Sequence, residues 1–434
     1  MKNLNVFLFE WRHFVKNPFK IVALILFMLA GIYGLHNGAD LYHKQQAEIE
    51  RISSEVNADR QEIINYYKEG VKGPEDRPWV DVTNPYWALR YAYKYHFKLP
   101  SAAMVYSIGQ TEQFGFYKQV TFGSSPLDAD MTKEIANPER LQIGTLDFSF
   151  VILFLLPLVL IILIYNVGSF ENEQGFLNLV LVQYASINKW LLSRVLFYMV
   201  LTFLCVIALM IYGTFLTDVF TDESQAFMQI TFLVFLYLVM WTVLFFFVLK
   251  SAKNILSNTL SMVGIYLLFT FIIPAMVHQW VSIDKPANLM TDFIDATRDE
   301  REKLYNEPEV TIHAKLVNLF PEIKNTKTAQ DSILNKRVVR RSIAALGNQL
   351  TKKSVESIAE ESQEKNRKIQ NTYWFNPVVY FQNQLNQETR THYQNYQDYS
   401  NNIQSAIDEQ VKELVLDMYD TVKVDEKRYL NYTK

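Results

Sequence analysis

The sequence predicts an α-helical integral membrane protein with five transmembrane helices, an N-terminal interfacial helix and two mainly helical extracytoplasmic domains. Three observations carry this. Of the 434 residues, 50% are hydrophobic and only 20% are charged, below the quarter usual in soluble proteins. The apolar residues are concentrated in five runs near the roughly 20 residues that a bilayer crossing needs. Lysine and arginine gather on alternate connections, which is the pattern that orients spans.

Residues 1–18 form the interfacial helix. Leu4, Phe7, Leu8, Trp11, Phe14 and Val15 recur at helical spacing and Arg12 and Lys16 flank them, which suits a helix lying in the headgroup region. Phe7, Trp11 and Phe14 are its membrane-facing candidates, and the face serves either as an anchor or as a partner contact. Pro18 marks the bend into the first span, 19–35. Glu10 and a long leader precede this run and no small-x-small site follows it, so it reads as a retained span and not as a cleaved signal.

Residues 36–147 make the first extracytoplasmic domain. Its start continues the first span as a helix to Gly70, "GPEDRPWVDVTNP" breaks the chain, and "YWALRYAYKYHF" reads as a second, aromatic helix. "SAAMVYSIGQTEQFGFYKQVTF" alternates as strands do. The second span is 148–168, the third 195–216, the fourth 227–249 and the fifth 255–281. Pro157 and Pro274 should kink the second and fifth. Residues 282–434 form the second extracytoplasmic domain, read as two long helices, Thr328 to Gln370 and Pro377 to Val422, joined at "NTYWFNP".

Lys2, Arg12, Lys16 and Lys20 precede span one, Lys189 and Arg194 precede span three, and Lys250 and Lys253 precede span five. The loop after span three holds Asp218, Asp222 and Glu223 and no base. The N-terminus is therefore expected in the cytoplasm and the C-terminus outside.

The chain shows no phosphate loop of the G-x-x-x-x-G-K-[ST] type, no H-E-x-x-H, no paired Cys-x-x-Cys and no G-x-S-x-G, so it carries no catalytic or metal-binding signature. Cys205 is the single cysteine, which excludes an internal disulfide. A net charge of −3 gives no reason to expect nucleic acid. His36 and His43 read as surface residues. Charge within the spans is close to nil, which argues against proton-coupled transport. Ser257, Ser261 and Gly264 place small residues on one face of span five, either for close helix packing or for a polar translocation surface.

Residues 169–194, the cytoplasmic connector between spans two and three, carry the sharpest signal. Glu171 and Glu173 sit where a helix begins, which favours anions. Gly175 permits a reversal of direction. "FLNLVLVQ" follows as a short apolar helix, and Phe176, Leu177, Val180 and Leu181 could fill a partner's groove. In this segment the chain resembles the ABC-2 type permeases of ABC transporters, whose connector reads E-x-E-x-G-T-L, then an apolar run, then Q-P-V-S and a base. The matching frame here is Glu171, Glu173, Gly175, Leu177, Gln183, Ser186 and Lys189, with Phe176 and Tyr184 standing where the family has a threonine or serine and a proline. "LDFSFVILFLLPLVLIILIYN", "SAAMVYSIGQ" and "NPVVYFQNQLNQETRTHYQNY" are similar to the subgroup with large extracytoplasmic domains, like the permease of nitrous-oxide-reductase maturation.

The resemblance implies a coupling helix that docks on a separate cytoplasmic ABC ATPase subunit, which would hold ATP and Mg. It implies a second permease subunit, as homo- or heterodimer, membrane lipid around the bundle, and a bacterial inner-membrane location. Such permeases usually add a sixth span after the second outer domain; none is visible here, so the resemblance leaves that span lost or supplied by a partner. Two other readings stay open: a mechanotransmitting complex that moves no cargo but acts on an extracytoplasmic protein, and a structural or receptor protein without an ATPase.

Overall fold

The computed structural model describes residues 2–126, 146–183, 186–251, 254–283 and 298–434. Tyr184 and Lys253 lie outside the described residues, as do the side chains of Leu4, Leu181 and Gln183. Five helices are long and apolar enough to cross a membrane: span one, Pro18–Glu69; span two, Phe148–Glu173; span three, Ile187–Thr217; span four, Ser224–Ser251; and span five, Ile255–Ile283. The end of the bundle that carries residues 169–183 is called the connector end, and the opposite end the domain end.

Helix α1, Lys2–Val15, precedes the bundle. Val6, Glu10 and Phe14 are buried, and the Phe7 ring packs edge-on against Phe197 of span three at 5.6 Å. Leu8, Trp11 and Val15 form the exposed apolar stripe, the face available to lipid. Of the three aromatic candidates, only Trp11 therefore lies on that face. Asn17 caps span one by accepting from Lys20 N at 3.3 Å, with Pro18 in the first position. Span one does not stop at the bundle. It runs 52 residues and ends at Gly70 in the left-handed region, whose N–H bonds the Tyr66 carbonyl. His36 and His43 are exposed, as expected, and each also reaches span three: Nε2 of each bonds Tyr212 Oη at 2.8 Å and the Leu216 carbonyl at 2.9 Å, respectively.

Pro157 and Pro274, expected to kink their spans, each follow a π-helical turn, Val151–Leu155 and Leu268–Ile272, that ends two residues before the proline. Pro157 has no N–H to give the Leu153 carbonyl; the Tyr237 hydroxyl donates to it instead, at 2.6 Å. Span five lies at the edge of the bundle. Asn258, Met262 and Tyr266 face inward, whereas Ser257, Ser261 and Gly264 are exposed. A Cβ built on Gly264 meets nothing within 4 Å, so the small-residue face packs on nothing within the described chain.

Beyond the bundle, the stretch read as one aromatic helix divides. Helix α2 covers Pro85–Tyr91, and strand β1, Lys94–Phe97, pairs antiparallel with β2, Tyr117–Val120. The alternation in "YKYHF" decides this, since Tyr95 and Phe97 stack on one side of the strand. The polar tail also breaks more often than expected. Its helices include α4, Glu309–Leu319; α5, Lys336–Arg341; α6, Ala344–Gln370; α7, Pro377–Glu388; α8, Tyr393–Tyr419; and α9, Glu426–Tyr432; α3 is the connector helix, Leu177–Gln183. Asn335 restarts the chain as a cap, accepting from Arg337 N and Val338 N. Arg390 at φ 54° ends α7 before His392 caps α8. The two segments assigned to separate outer domains share one core: Ile63, Leu89, Val120 and Phe122 cluster with Leu316, Val339, Ile407, Val411 and Tyr429.

Candidate functional site

The connector starts where span two unwinds. Regular helix stops at Ile164, and Gly168 adopts φ 80° with no room for a Cβ, which would sit 2.9 Å from Leu191 Cδ1. The unwinding frees the Leu163 carbonyl, and Lys20 of span one takes it: Nζ donates to Leu163 O at 2.5 Å, to Asn166 Oδ1 at 3.1 Å and to Tyr198 Oη at 3.1 Å. Lys20 is fully buried.

Beside it lies a buried ion triad. The Arg194 guanidinium donates to Glu10 of α1 and to Glu171 of the connector and lies 4.7 Å from the Trp190 ring centroid. Glu10 is fully buried, Arg194 is 4% exposed at the side chain and Glu171 15%. Lys20 and Arg194, read from sequence as bases that flank spans one and three, are thus interior groups. Pairing makes that tolerable: each charge is hydrogen-bonded where desolvation would otherwise cost several kcal/mol. The sequence signal was Glu10, the lone acid in an otherwise apolar and basic helix. In α1, burial holds His13 below its ordinary value, against the pull of Glu10 and with the help of Lys20 and Arg194.

Glu173 works differently. Its Oε1 accepts from Ile255 N, at 2.7 Å, at the first turn of span five, where the helix offers unpaired N–H groups. Ser169 adds a second tie, accepting from Asn258 Nδ2 of span five. Gly175 turns the chain at φ 76° with open space around it. Phe176 and, in helix α3, Leu179 and Val182 then face outward at 53, 62 and 87% exposure. Leu177 and Val180 are half-buried, and Val180 packs on the bundle core. The exposed ridge is thus Phe176–Leu179–Val182, offset from the face expected at Phe176, Leu177, Val180 and Leu181.

At the domain end a cap closes the bundle. It joins "SAAMVYSIGQ" to the second half of the last similar segment, stretches far apart in sequence. Ser107 Oγ donates to Asn386 Oδ1 at 2.6 Å and Gln110 N to Thr391 O at 3.1 Å. The cap grips the spans directly. Tyr106 Oη donates to Met210 O at 2.7 Å, Ile108 N to Asp147 Oδ2 at 2.9 Å and Ala103 N to Glu223 Oε2 at 3.0 Å. Burial pushes the Asp147 carboxyl up, against the bonds it accepts from Phe150 N, Ile108 N and Ser149. Gly38 lets the cap approach span one: a Cβ there would stand 2.7 Å from Val105 O. Among the described residues, no three His, Cys, Asp or Glu side chains converge as a metal site needs.

Comparison of the chain with family models, curated proteins and solved structures finds no match.

Proposed function

We propose that this chain is the membrane permease subunit of an ATP-driven, ABC-2 type transporter, and that the connector is its contact with a separate ATPase. The observation that carries this is the ridge Phe176–Leu179–Val182, an exposed apolar surface on a connector tied by Glu171 and Glu173 to α1, span three and span five. A short helix that offers apolar anchors to a groove is a common recognition mode, and its tight anchoring lets a push at the ridge reach several spans together. The connector end also carries Arg12, Lys16, Lys189 and Lys250, against Asp218, Asp222 and Glu223 at the domain end. That bias supports a cytoplasmic connector in a bacterial inner membrane. ATP and Mg2+ would be bound by the partner, so chemistry belongs to it and this chain supplies the coupled motion.

A second reading is favoured by the cap. Its hydrogen bonds to spans two, three and four give a direct mechanical path from bundle to outer domain, which suits force passed to an extracytoplasmic protein without cargo. Flux in proteoliposomes separates the two.

The test is co-purification in mild detergent. A P-loop ATPase should accompany the protein and hydrolyse ATP in its presence. Leu179→Arg should abolish the association, while Val310→Arg, at an exposed apolar position in the outer domain, should leave it intact. Failure to recover or stimulate any such ATPase overturns the proposal.

A further inference from the structure

Helix α7 holds a hairpin against the bundle. Val378, Phe381 and Leu385 belong to the same core cluster as the spans, and the Phe381 ring lies 5.0 Å from Tyr237 of span four. The far end of α7 reaches the rim of the bundle, where Arg390 pairs with Glu223 at 3.8 Å. Helix α6 packs along the outer part of span five, Ile273–Ile283, and Ser362 hydrogen-bonds Tyr393 near the same rim. Residues 371–376 join α6 to α7 as the tip of the hairpin.

Span four supplies a depth scale. Its exposed polar side chains stop at Gln229 and resume at Lys250, about 31 Å of helix rise apart, which is the thickness of a bilayer's hydrocarbon. Glu223 stands about 9 Å above Gln229 on that scale. From Arg390, α7 descends about 20 Å to Pro377, and from Ser362, α6 descends about 12 Å to Gln370. The two helices bracket the tip between about 3 and 10 Å below Gln229, in the outer part of the domain-side leaflet. On span five, the exposed His278, Gln279 and Trp280 mark the headgroup layer beside it.

The chemistry of the tip fits that depth. Trp374 is 85% exposed, and its ring neighbour among the described residues is the adjacent Phe375, at 4.8 Å. The backbone closes on itself: the N–H groups of Asn371, Thr372, Tyr373, Phe375 and Asn376 all donate to carbonyls between Arg367 and Thr372. Lipid demands such internal pairing of backbone polar groups. Asn383 Nδ2 also donates to Tyr373 Oη at 2.8 Å, which braces the tip on α7. Above the tip, Gln363, Arg367 and Gln370 of α6 are exposed, as suits a headgroup layer. A tryptophan below a polar collar is the arrangement of a membrane-interface belt, and an arginine at its edge extends its head toward phosphate.

We propose that the α6–α7 hairpin is a lipid anchor of the outer domain: Trp374 enters the domain-side leaflet at the boundary of headgroups and acyl chains, and Arg367 meets phospholipid phosphate. Lipid is the occupant because the core packing of α7 holds the exposed ring at membrane depth. Since α7 also touches both π turns, the anchor links that leaflet to spans two and five.

Spin labelling of the full chain in phospholipid vesicles tests it, after Cys205→Ser. Labels at Trp374→Cys and Gln363→Cys are compared with Phe232→Cys on span four and Ile333→Cys in the outer domain, both exposed. Relaxation by oxygen against a water-soluble nickel chelate should place 374 with 232, and 363 with 333. Nickel dominating at 374 puts the tip in water, and protection from both reagents means protein covers it; either overturns the anchor. Oxygen dominating at 363 overturns the headgroup collar. In unlabelled protein, phospholipid brominated high in its acyl chains should quench a larger fraction of the tryptophan fluorescence than in Trp374→Ser. Equal quenching overturns the insertion of Trp374. No arm involves nucleotide, so these results are independent of the ATPase reading.

Discussion

Arg194→Met should be among the most damaging single substitutions in the bundle. Among the described residues, Arg194 is the only cation paired with Glu10 and Glu171, and methionine retains its stacking volume over Trp190. The substitution leaves two carboxylates without their counter-ion, one of them fully buried. Removing one partner of a buried pair costs about 3–5 kcal/mol, and the upper end applies because two acids are stranded. Arg194→Lys keeps the charge but cannot reach both carboxylates with a fixed fork, so it should fall between. The informative variant is the combination Glu10→Leu, Arg194→Met and Glu171→Gln. Neutral replacement of a whole buried group is often close to neutral in stability, so the triple variant should recover most of the loss. The assay is thermal unfolding in mild detergent, with steric trapping in bicelles for the free energy. If Arg194→Met unfolds with the parent, or if the triple variant is no better than the single, the triad is not what holds the connector.

Four further outcomes follow from the same contacts. Gly38→Val should displace the cap from span one, with a cost of about 1–3 kcal/mol for overpacking against backbone, and should speed limited proteolysis of residues beyond the bundle. Tyr237→Phe should cost about 1–3 kcal/mol by stranding the Leu153 carbonyl; Pro157→Ala restores a backbone N–H, so the double variant should lose less than the sum. Burial, and secondarily Arg390, pushes Lys98 down to about 8. Between pH 8 and its ordinary value of about 10.4, the unfolded chain holds a proton the folded chain has released, so stability should rise with pH across that window. Lys98→Met should remove that slope in paired melting curves. Glu173→Gln keeps an acceptor for Ile255 N and loses only the charge at the helix start, so it should cost less than about 1 kcal/mol and preserve any ATPase association that Leu179→Arg destroys.

The five spans were legible because hydropathy over some twenty residues is a local property that no tertiary context has to supply. Cap and triad were not, because each depends on a pair more than a hundred positions apart, Ser107 with Asn386 and Glu10 with Arg194. Arg194 and Lys20 show the difference. In sequence each is a base beside an apolar run, and only the fold shows that Glu10, the unwound end of span two and Tyr198 converge on them. The apolar face of the connector was expected at Phe176, Leu177, Val180 and Leu181, whereas the exposed apolar residues are Phe176, Leu179 and Val182, since seven residues of helix α3 are too few for periodicity to fix a face. Val180 packs on the bundle core and Leu177 is half-buried, which no pattern inside "LNLVLVQ" records. The tail was read as two long helices because its apolar spacing continues through breaks set by single residues, a cap at Asn335 and a left-handed Arg390.

Taken together, the ties at the two ends constrain how motion can pass through the bundle. Near the connector, α1 and span three are joined to span two through the triad, and span five through Glu173 and Ser169. At the domain end, spans two, three and four are held by the cap through Asp147, Met210 and Glu223. Spans two and three are thus gripped at both ends and span four at the rim. The regular helix ladder is interrupted along the way in only two of the described spans, at the π turns Val151–Leu155 and Leu268–Ile272. Both turns touch α7. A displacement applied at the connector ridge therefore bends spans two and five most easily at these turns, where the helix ladder is already broken, and α7 rests on both. The residue that would report such motion is Tyr237: its ring contacts Phe381 of α7 and its hydroxyl holds the carbonyl at the turn of span two.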